Sequence, residues 1–314
     1  MLSRVAERIY WCARYLERVE NTARLVSVYD NLLFDLPHDF NIGWYNLITI
    51  NSGEQAFDER YKIRDERNVV KFLLADDTNF SSMLVSLKMV RENMRTTRDV
   101  VPQETWELIN ELDLFARKNI KQGINRTQRH DYLNTIIKGC QEINGLLAGA
   151  MSRDATWQFV MLGRNLERAD MTTRILDAGV SIMLQPDESN SVNLGQVVWG
   201  NVLRSSSAYL SYRRSVRTSV SGAKVARYLL SDTYFPRAAS FCVNEIKQAA
   251  TKLPRSQGVL KVIEKIDKLS YPITSSSELD EAVRNYLNDF QINLNELNAA
   301  ISENWFAFDE GAAA

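Results

Sequence analysis

The sequence predicts an all-α fold, an internally duplicated helical bundle with pseudo-twofold symmetry. Three observations carry that expectation. Apolar residues recur at alternating spacings of four and three over long stretches, the rhythm of one helical face. Only 13 Gly and 6 Pro occur in 314 residues, little material for many tight turns. A charged block is also written twice, as CARYLERVENTARLV at 12–26 and LGRNLERADMTTRIL at 162–176. At an offset of 150, Arg14, Leu16, Glu17, Arg18, Thr22 and Arg24 fall on Arg164, Leu166, Glu167, Arg168, Thr172 and Arg174, and Glu20 falls on Asp170.

The first long helix is expected from Ser3 to Leu33, ending before Pro37. Its stripe is Val5, Ile9, Cys12, Leu16, Val19, Ala23 and Val26. Segment 44–64 leaves room for short strands. Helices are expected at about 66–75, 81–100, 103–121 and 130–150, with GINRTQRHD as a loop and His130 opening a helix. The second long helix is expected from Arg153 to Leu184, ending before Pro186, with Ala155, Phe159, Leu162, Leu166, Ala169, Thr173, Leu176, Val180 and Met183 as its stripe. PDESNS reads as a loop. Helices follow at about 193–212, 222–231, 236–253, 257–268 and 277–306. Pro236 suits a first helical turn, and Ser275 with Glu278 is spaced as a capping box.

Other landmarks repeat in the same order. Trp44 has a counterpart in Trp199, and FLLADDTNF resembles YLLSDTYF, with Asp76 matching Asp232 and Phe80 matching Phe235. The reading is two helical halves, 1–150 and 151–314, packed as one unit, their long helices meeting near a pseudo-twofold axis.

Composition excludes several classes. The net charge of −1 gives no overall pull toward nucleic acid or an anionic membrane. No apolar run reaches the ~18–20 residues of a membrane span, and no signal peptide is visible. Three widely spaced cysteines make neither a disulfide framework nor a zinc pattern and suit a reducing cytoplasm. There is no phosphate-binding glycine loop, no nucleophile elbow and no Glu-x-x-His for a di-iron bundle. The two histidines, His38 and His130, read as surface or capping residues. The expectation is no metal and no cofactor.

What remains is the charged block. At ~100° per residue, Glu17, Glu20 and Arg24 lie within ~60° of one another beside the apolar stripe. Glu20–Arg24 is a favourable i,i+4 pair, Arg14–Glu17 an i,i+3 pair, and Arg14–Arg18 a like-charge pair. Arg164, Glu167, Arg168, Asp170 and Arg174 repeat the pattern. The chain has 26 Arg against 12 Lys, and arginine is the residue of bidentate, partly buried anion contacts. Two roles are open for the ten residues: a salt-bridge network that fixes helix register, or a binding or catalytic cleft. If the helices pack about a twofold axis, Glu17 and Glu20 meet Arg164, Arg168 or Arg174, and the reverse pairs follow.

At these residues the sequence resembles the bacterial alpha-E domain proteins. The resemblance rests on MLSRVAERIYWCARYLERVENTARL, FLLADDTNFSSMLVSLKMVRENMRTTRD and LGRNLERADMTTRILD, and covers most of the chain. Phe80 stands where that family usually has Pro. The resemblance implies an all-helical fold, with circularly permuted ATP-grasp proteins and transglutaminase-like peptidases as partners in an ATP-dependent amide- or peptide-bond-forming system. Three classes compete: a non-catalytic partner of the ligase, an enzyme acting on an acyl or phosphorylated substrate, and a carrier of an anionic ligand or peptide. The missing nucleotide motif and nucleophile favour the first.

One further stretch stands apart. From Ser189 to Ser231 there is no Asp or Glu, yet Arg204, Arg213, Arg214, Arg217, Lys224 and Arg227 fall there, while 278–310 carries eight acids and only Arg284. Either the acidic helix covers the basic segment, or Arg204, Arg213, Arg214 and Arg217 form an anion-binding face. YLSYRRSVR also interleaves Tyr with Arg as single-strand nucleic-acid binders do, against the ordinary net charge.

Overall fold

The structure, a computed structural model, describes residues 3–35, 43–184, 192–269, 271–274 and 279–307. These form α-helices and one 3-10 turn, with no strand among the described residues. In chain order the helices are α1 (Ser3–Asp35), α2 (Asn46–Ile50), α3 (Glu54–Arg60), α4 (Glu66–Leu74), α5 (Met83–Arg95), α6 (Gln103–Lys118), α7 (Ile120–Ile124), α8 (Arg126–Ala150), α9 (Ala155–Met183), α10 (Val192–Ser205), α11 (Tyr209–Val216), α12 (Gly222–Ser231), α13 (Ala239–Thr251), α14 (Gln257–Lys268) and α15 (Glu281–Trp305).

Several local expectations are corrected. Segment 44–64 holds two short helices rather than strands. The loop expected at GINRTQRHD is the start of α8: Asn125 accepts a hydrogen bond from the Thr127 amide as N-cap, so His130 lies inside the helix. The helix expected across 193–212 breaks at Ser206–Ala208, where Ser207 is left-handed at φ 54°. α13 starts at Ala239, leaving Pro236 in the preceding turn. α15 is capped by Asp280, which accepts from the amides of Ala282 and Val283. The Ser275–Glu278 box, PDESNS, Pro37, Pro186 and His38 lie outside the described residues.

α1 and α9 cross at the centre. α1 also packs on α5 and α8, and α9 on α13 and α15. The crossing needs small residues. A Cβ on Gly163 would strike the Tyr10 carbonyl and lie 3.2 Å from the Ala13 Cβ. Only glycine lets the two backbones approach so closely. Ile9, Cys12, Leu16, Val19, Ala23 and Val26 of the α1 stripe are buried, as are Phe159, Leu162, Leu166, Ala169, Thr173, Leu176 and Val180 of α9.

A second tie fixes the far end of α1. Arg129 of α8 is fully buried and reaches Asp30 at 2.6 Å and Glu66 at 2.8 Å. Its Nε donates to the Gly123 carbonyl and one Nη to that of Ile124, each at 3.1 Å. The guanidinium is thereby paired and hydrogen-bonded, as a buried charge must be, and it joins α1, α4, α7 and α8.

Candidate functional site: a buried Glu–Arg network between α1 and α9

Glu17 and Glu167 are 1% and 2% exposed, beside the α1–α9 crossing. Each is matched to arginines of other elements. Arg18 of α1 donates from Nε to Glu167 Oε1 at 2.6 Å and from Nη2 to Oε2 at 3.1 Å. Arg14 donates from Nε to Glu167 Oε2 at 2.8 Å. In the reverse sense Arg168 of α9 stands 3.0 Å from Glu17 Oε2, and Arg237 stands 2.5 Å from Oε1. Glu167 therefore accepts three directed hydrogen bonds. Glu17 is held at ion-pair distance without an aligned hydrogen bond.

Glu20 extends the network. It pairs with Arg24 at 2.6 Å and with Arg237 at 3.0 Å. Arg237 also donates to the Asn21 side chain at 2.9 Å, and its carbonyl accepts from the Thr172 hydroxyl at 2.8 Å. Asp170 pairs with Arg174 at 2.9 Å within α9. The i,i+3 contact expected between Arg14 and Glu17 does not form, because Arg14 turns to Glu167. Arg164 and Arg174 do not reach Glu17 or Glu20.

Arg14 and Arg164 differ most. Arg14 adds a 2.7 Å hydrogen bond to Asn298 of α15, which also accepts from the Tyr10 hydroxyl. Arg164 donates to Asn144 of α8 at 3.0 Å and has no carboxylate at ion-pair distance among the described residues. Burial, with Arg168 nearby, lowers its pKa to about 10. Arg237, in the turn before α13, takes the place beside Glu17 that Arg14 takes beside Glu167. Sequence reading passed over Arg237, whose only signal was its position just after the repeated DTYF block.

The electrostatics decide what the network can do. Burial works to raise the Glu17 carboxyl, but Arg168 and Arg237 outweigh it and hold it down at about 2. Burial is likewise outweighed at Glu167 by Arg18 and Arg14, leaving it at about 2. Neither is a general base at neutral pH, since a base works best with its pKa near the working pH. Asp170 is raised, chiefly by burial. Burial also pushes the Cys12 and Cys242 thiols up to about 12, away from nucleophilic use. No group of three or more His, Cys, Asp or Glu side chains among the described residues is placed to hold a metal ion. No helix of the described residues is long and apolar enough to cross a membrane.

The other predicted arginines lie elsewhere. Arg204, Arg213 and Arg217 line a cleft of about 1110 Å³ between the C-terminal turns of α1, α10, α11 and residues 217–220. Arg214 lines an adjoining cleft of about 530 Å³ together with Arg213 and Arg217. The cover expected from the acidic helix is absent: α15 packs on α14, α9 and α1, and none of the four arginines pairs with a carboxylate among the described residues.

Five Glu–Arg dipeptides occur in the chain, at 7–8, 17–18, 59–60, 66–67 and 167–168. Only those at 17–18 and 167–168 bury the glutamate. The Alpha-E family, described as a predicted alpha-helical domain with a conserved ER motif, matches residues 1–306. Uncharacterized proteins of Mycobacterium bovis and Mycobacterium tuberculosis are each 21% identical over 298 residues, covering 88% of this chain and 33% of the relative. The chain thus spans about a third of the length of the curated relatives it matches. No solved structure matches it.

Proposed function

This chain belongs to the Alpha-E family, and from that membership we propose that it is a non-catalytic helical partner of an ATP-grasp-type amide- or peptide-bond-forming system. The Glu–Arg dipeptides at 17–18 and 167–168 are its ER motif, and their role is to lock α1 onto α9. The observation that carries this reading is the state of the two glutamates. Each is already neutralised by two arginines and held near pKa 2, so each is a weak base at neutral pH. The partner is a circularly permuted ATP-grasp protein, with a transglutaminase-like peptidase in the same system, and the setting is the cytoplasm.

We also propose that the unit arose by duplication of a half, 1–150 joined to 151–314, about a pseudo-twofold axis. Matching lengths support this: α5 and α13 are each 13 residues, α8 and α15 each 25. Matching packing supports it too, for α1 carries α4, α5 and α8 as α9 carries α12, α13 and α15. Ala13 and Gly163, an offset of 150 apart, meet at the crossing.

The test is purification of the tagged chain from its native host, with an ATPase assay on the chain alone. An ATP-grasp protein recovered in stoichiometric amount, no ATP turnover by the chain alone and altered turnover by the pair are the expected results. ATP turnover by the isolated chain that vanishes in Glu167→Gln would overturn the reading.

A further inference from the structure

The strongest feature outside the network is the basic cleft at α10–α11, and we propose that it binds an acidic polypeptide segment in extended form. This goes beyond the partner reading and does not depend on it. Arg204, Arg213, Arg214 and Arg217 have no carboxylate partner among the described residues. Arg204 leans over the Tyr209 ring at 4.8 Å. Arg217 donates to the Arg214 carbonyl, at 3.3 Å. Arg217 also stands left-handed, at φ 53°, at the end of α11, where Gly or Asn is the ordinary choice. A charged side chain held in that conformation, beside three more guanidiniums without an ion-pair partner among the described residues, is a surface prepared for an anion. Asp232, which lines the smaller cleft, is already engaged by the amides of Tyr234 and Phe235.

Five features select an acidic peptide among anions. The two adjoining clefts share Arg213 and Arg217 and measure about 1110 and 530 Å³. Together they exceed the ~300–1,000 Å³ of a small-molecule pocket and suit a chain running through both. The larger one is also lined by Asn31, Gln196 and Asn201. Asn31 and Asn201 each give one N–H to a carbonyl of their own helix, and the remaining amide groups can donate to and accept from a peptide backbone. No glycine-rich loop offers the convergent backbone amides of a phosphate cradle. Nucleic acid is disfavoured by the two tyrosines of YLSYRRSVR. Tyr212 is fully buried and the Tyr209 face is covered by Arg204, so YLSYRRSVR presents no stacking platform of the kind single strands need. Leu210 and Tyr234, 75% and 88% exposed, flank the arginines and give a partner the apolar contacts typical of a protein interface.

The experiment uses fluorescence anisotropy on the full chain with a rhodamine-labelled hexaglutamyl peptide. The hexaglutaminyl peptide, pyrophosphate and hexauridylate are compared as ligands and competitors. The site variant is Arg213→Gln with Arg217→Asn, Asn being tolerated at a left-handed position. Arg95→Gln, on α5, is the control, and thermal melts verify folding. The expected result is binding of the hexaglutamyl peptide that weakens as salt rises. The site variant should lose about tenfold or more, as when charge-assisted hydrogen bonds are removed, with the control unchanged. Binding of the hexaglutaminyl peptide at equal strength, indifference to the site variant, or preference for pyrophosphate or hexauridylate over the peptide would each overturn the proposal.

Discussion

Arg18 and Glu167 sit on different helices, 149 residues apart, and close a bidentate ion pair at 2.6 and 3.1 Å. The residues next to them in sequence do the converse, Arg168 standing 3.0 Å from Glu17. Two adjacent residues of α1 thus meet two adjacent residues of α9 crosswise, and a register slip of either helix would break both pairs. Removing one partner of a buried pair costs about 3–5 kcal/mol, because the other charge stays behind. Glu167→Gln strands both Arg14 and Arg18. Glu17→Gln strands Arg168 but leaves Arg237 with Glu20. Both variants should unfold at lower urea, and Glu167→Gln should lose more. Equal losses under about 1 kcal/mol would mean that the pairs behave as wet surface contacts.

The same two carboxylates set an acid limit. Both are held at about 2 in the fold, against an ordinary value of 4.5. A carboxylate depressed by folding stabilises above its ordinary value and loses that contribution as pH falls toward its folded value. Stability should therefore drop between about pH 5 and pH 2. Asp170, raised in the fold, adds a slope of the opposite sign. Urea midpoints across this range should slope less steeply in Glu17→Gln and Glu167→Gln, and the double variant should be flattest. An unchanged slope in the double variant would place the acid sensitivity elsewhere.

Much of this was legible in the sequence, and the reasons for the remainder are physical. Apolar spacing located both central helices to within two residues at each end, because a buried stripe must recur at the helical period. The charged block announced its own importance by being written twice. Its partners were legible in part. The expected cross-helix pairs included Glu17 with Arg168 and the reverse pairs of Glu167, which form, and Arg164 or Arg174 with Glu17 or Glu20, which do not. The helical wheel suggested Arg14–Glu17, a contact within one helix, but the crossing at Gly163 brings Glu167 within reach of Arg14. Arg237 could not be found from periodicity, since it lies in a turn and acts across more than 200 residues of chain. Arg129 lay inside a stretch that reads as loop because Gly, Asn and Thr crowd it. Asn125 is there a cap, and the helix it starts carries the buried arginine.

Arg14 and Arg164, equivalent in the repeat, should respond differently to the same change. Arg14 serves Glu167 and Asn298, so Arg14→Met leaves a carboxylate with one arginine fewer and should cost about 3 kcal/mol. Arg164 is buried with no carboxylate at ion-pair distance among the described residues, and burial with Arg168 nearby lowers its pKa to about 10, outweighing the pull of Glu17 and Glu20. Arg164→Met should change stability by less than about 1 kcal/mol in either direction, since an apolar chain of similar length often replaces an uncompensated charge without loss. Melting curves of the two variants decide this. Equal large losses would mean that Arg164 has an anionic partner in solution. Retained stability with lost binding to the proposed ATP-grasp partner would identify Arg164 as a contact to that partner.

Gly163 allows the sharpest test of the crossing itself. In an exposed helix interior, Gly→Ala stabilises by about 0.5–1 kcal/mol, since alanine loses less backbone freedom on folding. Gly145 in α8 is such a position, exposed and with nothing within 4 Å of the added methyl. Gly145→Ala should therefore raise the melting temperature. At Gly163 the same methyl meets the Tyr10 carbonyl and the Ala13 side chain. Neither is the far end of a flexible group, so α1 and α9 must part. Parting them lengthens the Arg14–Glu167, Arg18–Glu167 and Arg168–Glu17 pairs at once. Overpacking of a tight core costs about 1–3 kcal/mol, and the stretched pairs add to it. Gly163→Ala should thus destabilise despite its better helix propensity. Its loss should shrink in a Glu17→Gln, Glu167→Gln background, where the pairs are already gone. A loss that stays the same in that background would mean that backbone contact and charge network act independently at the crossing.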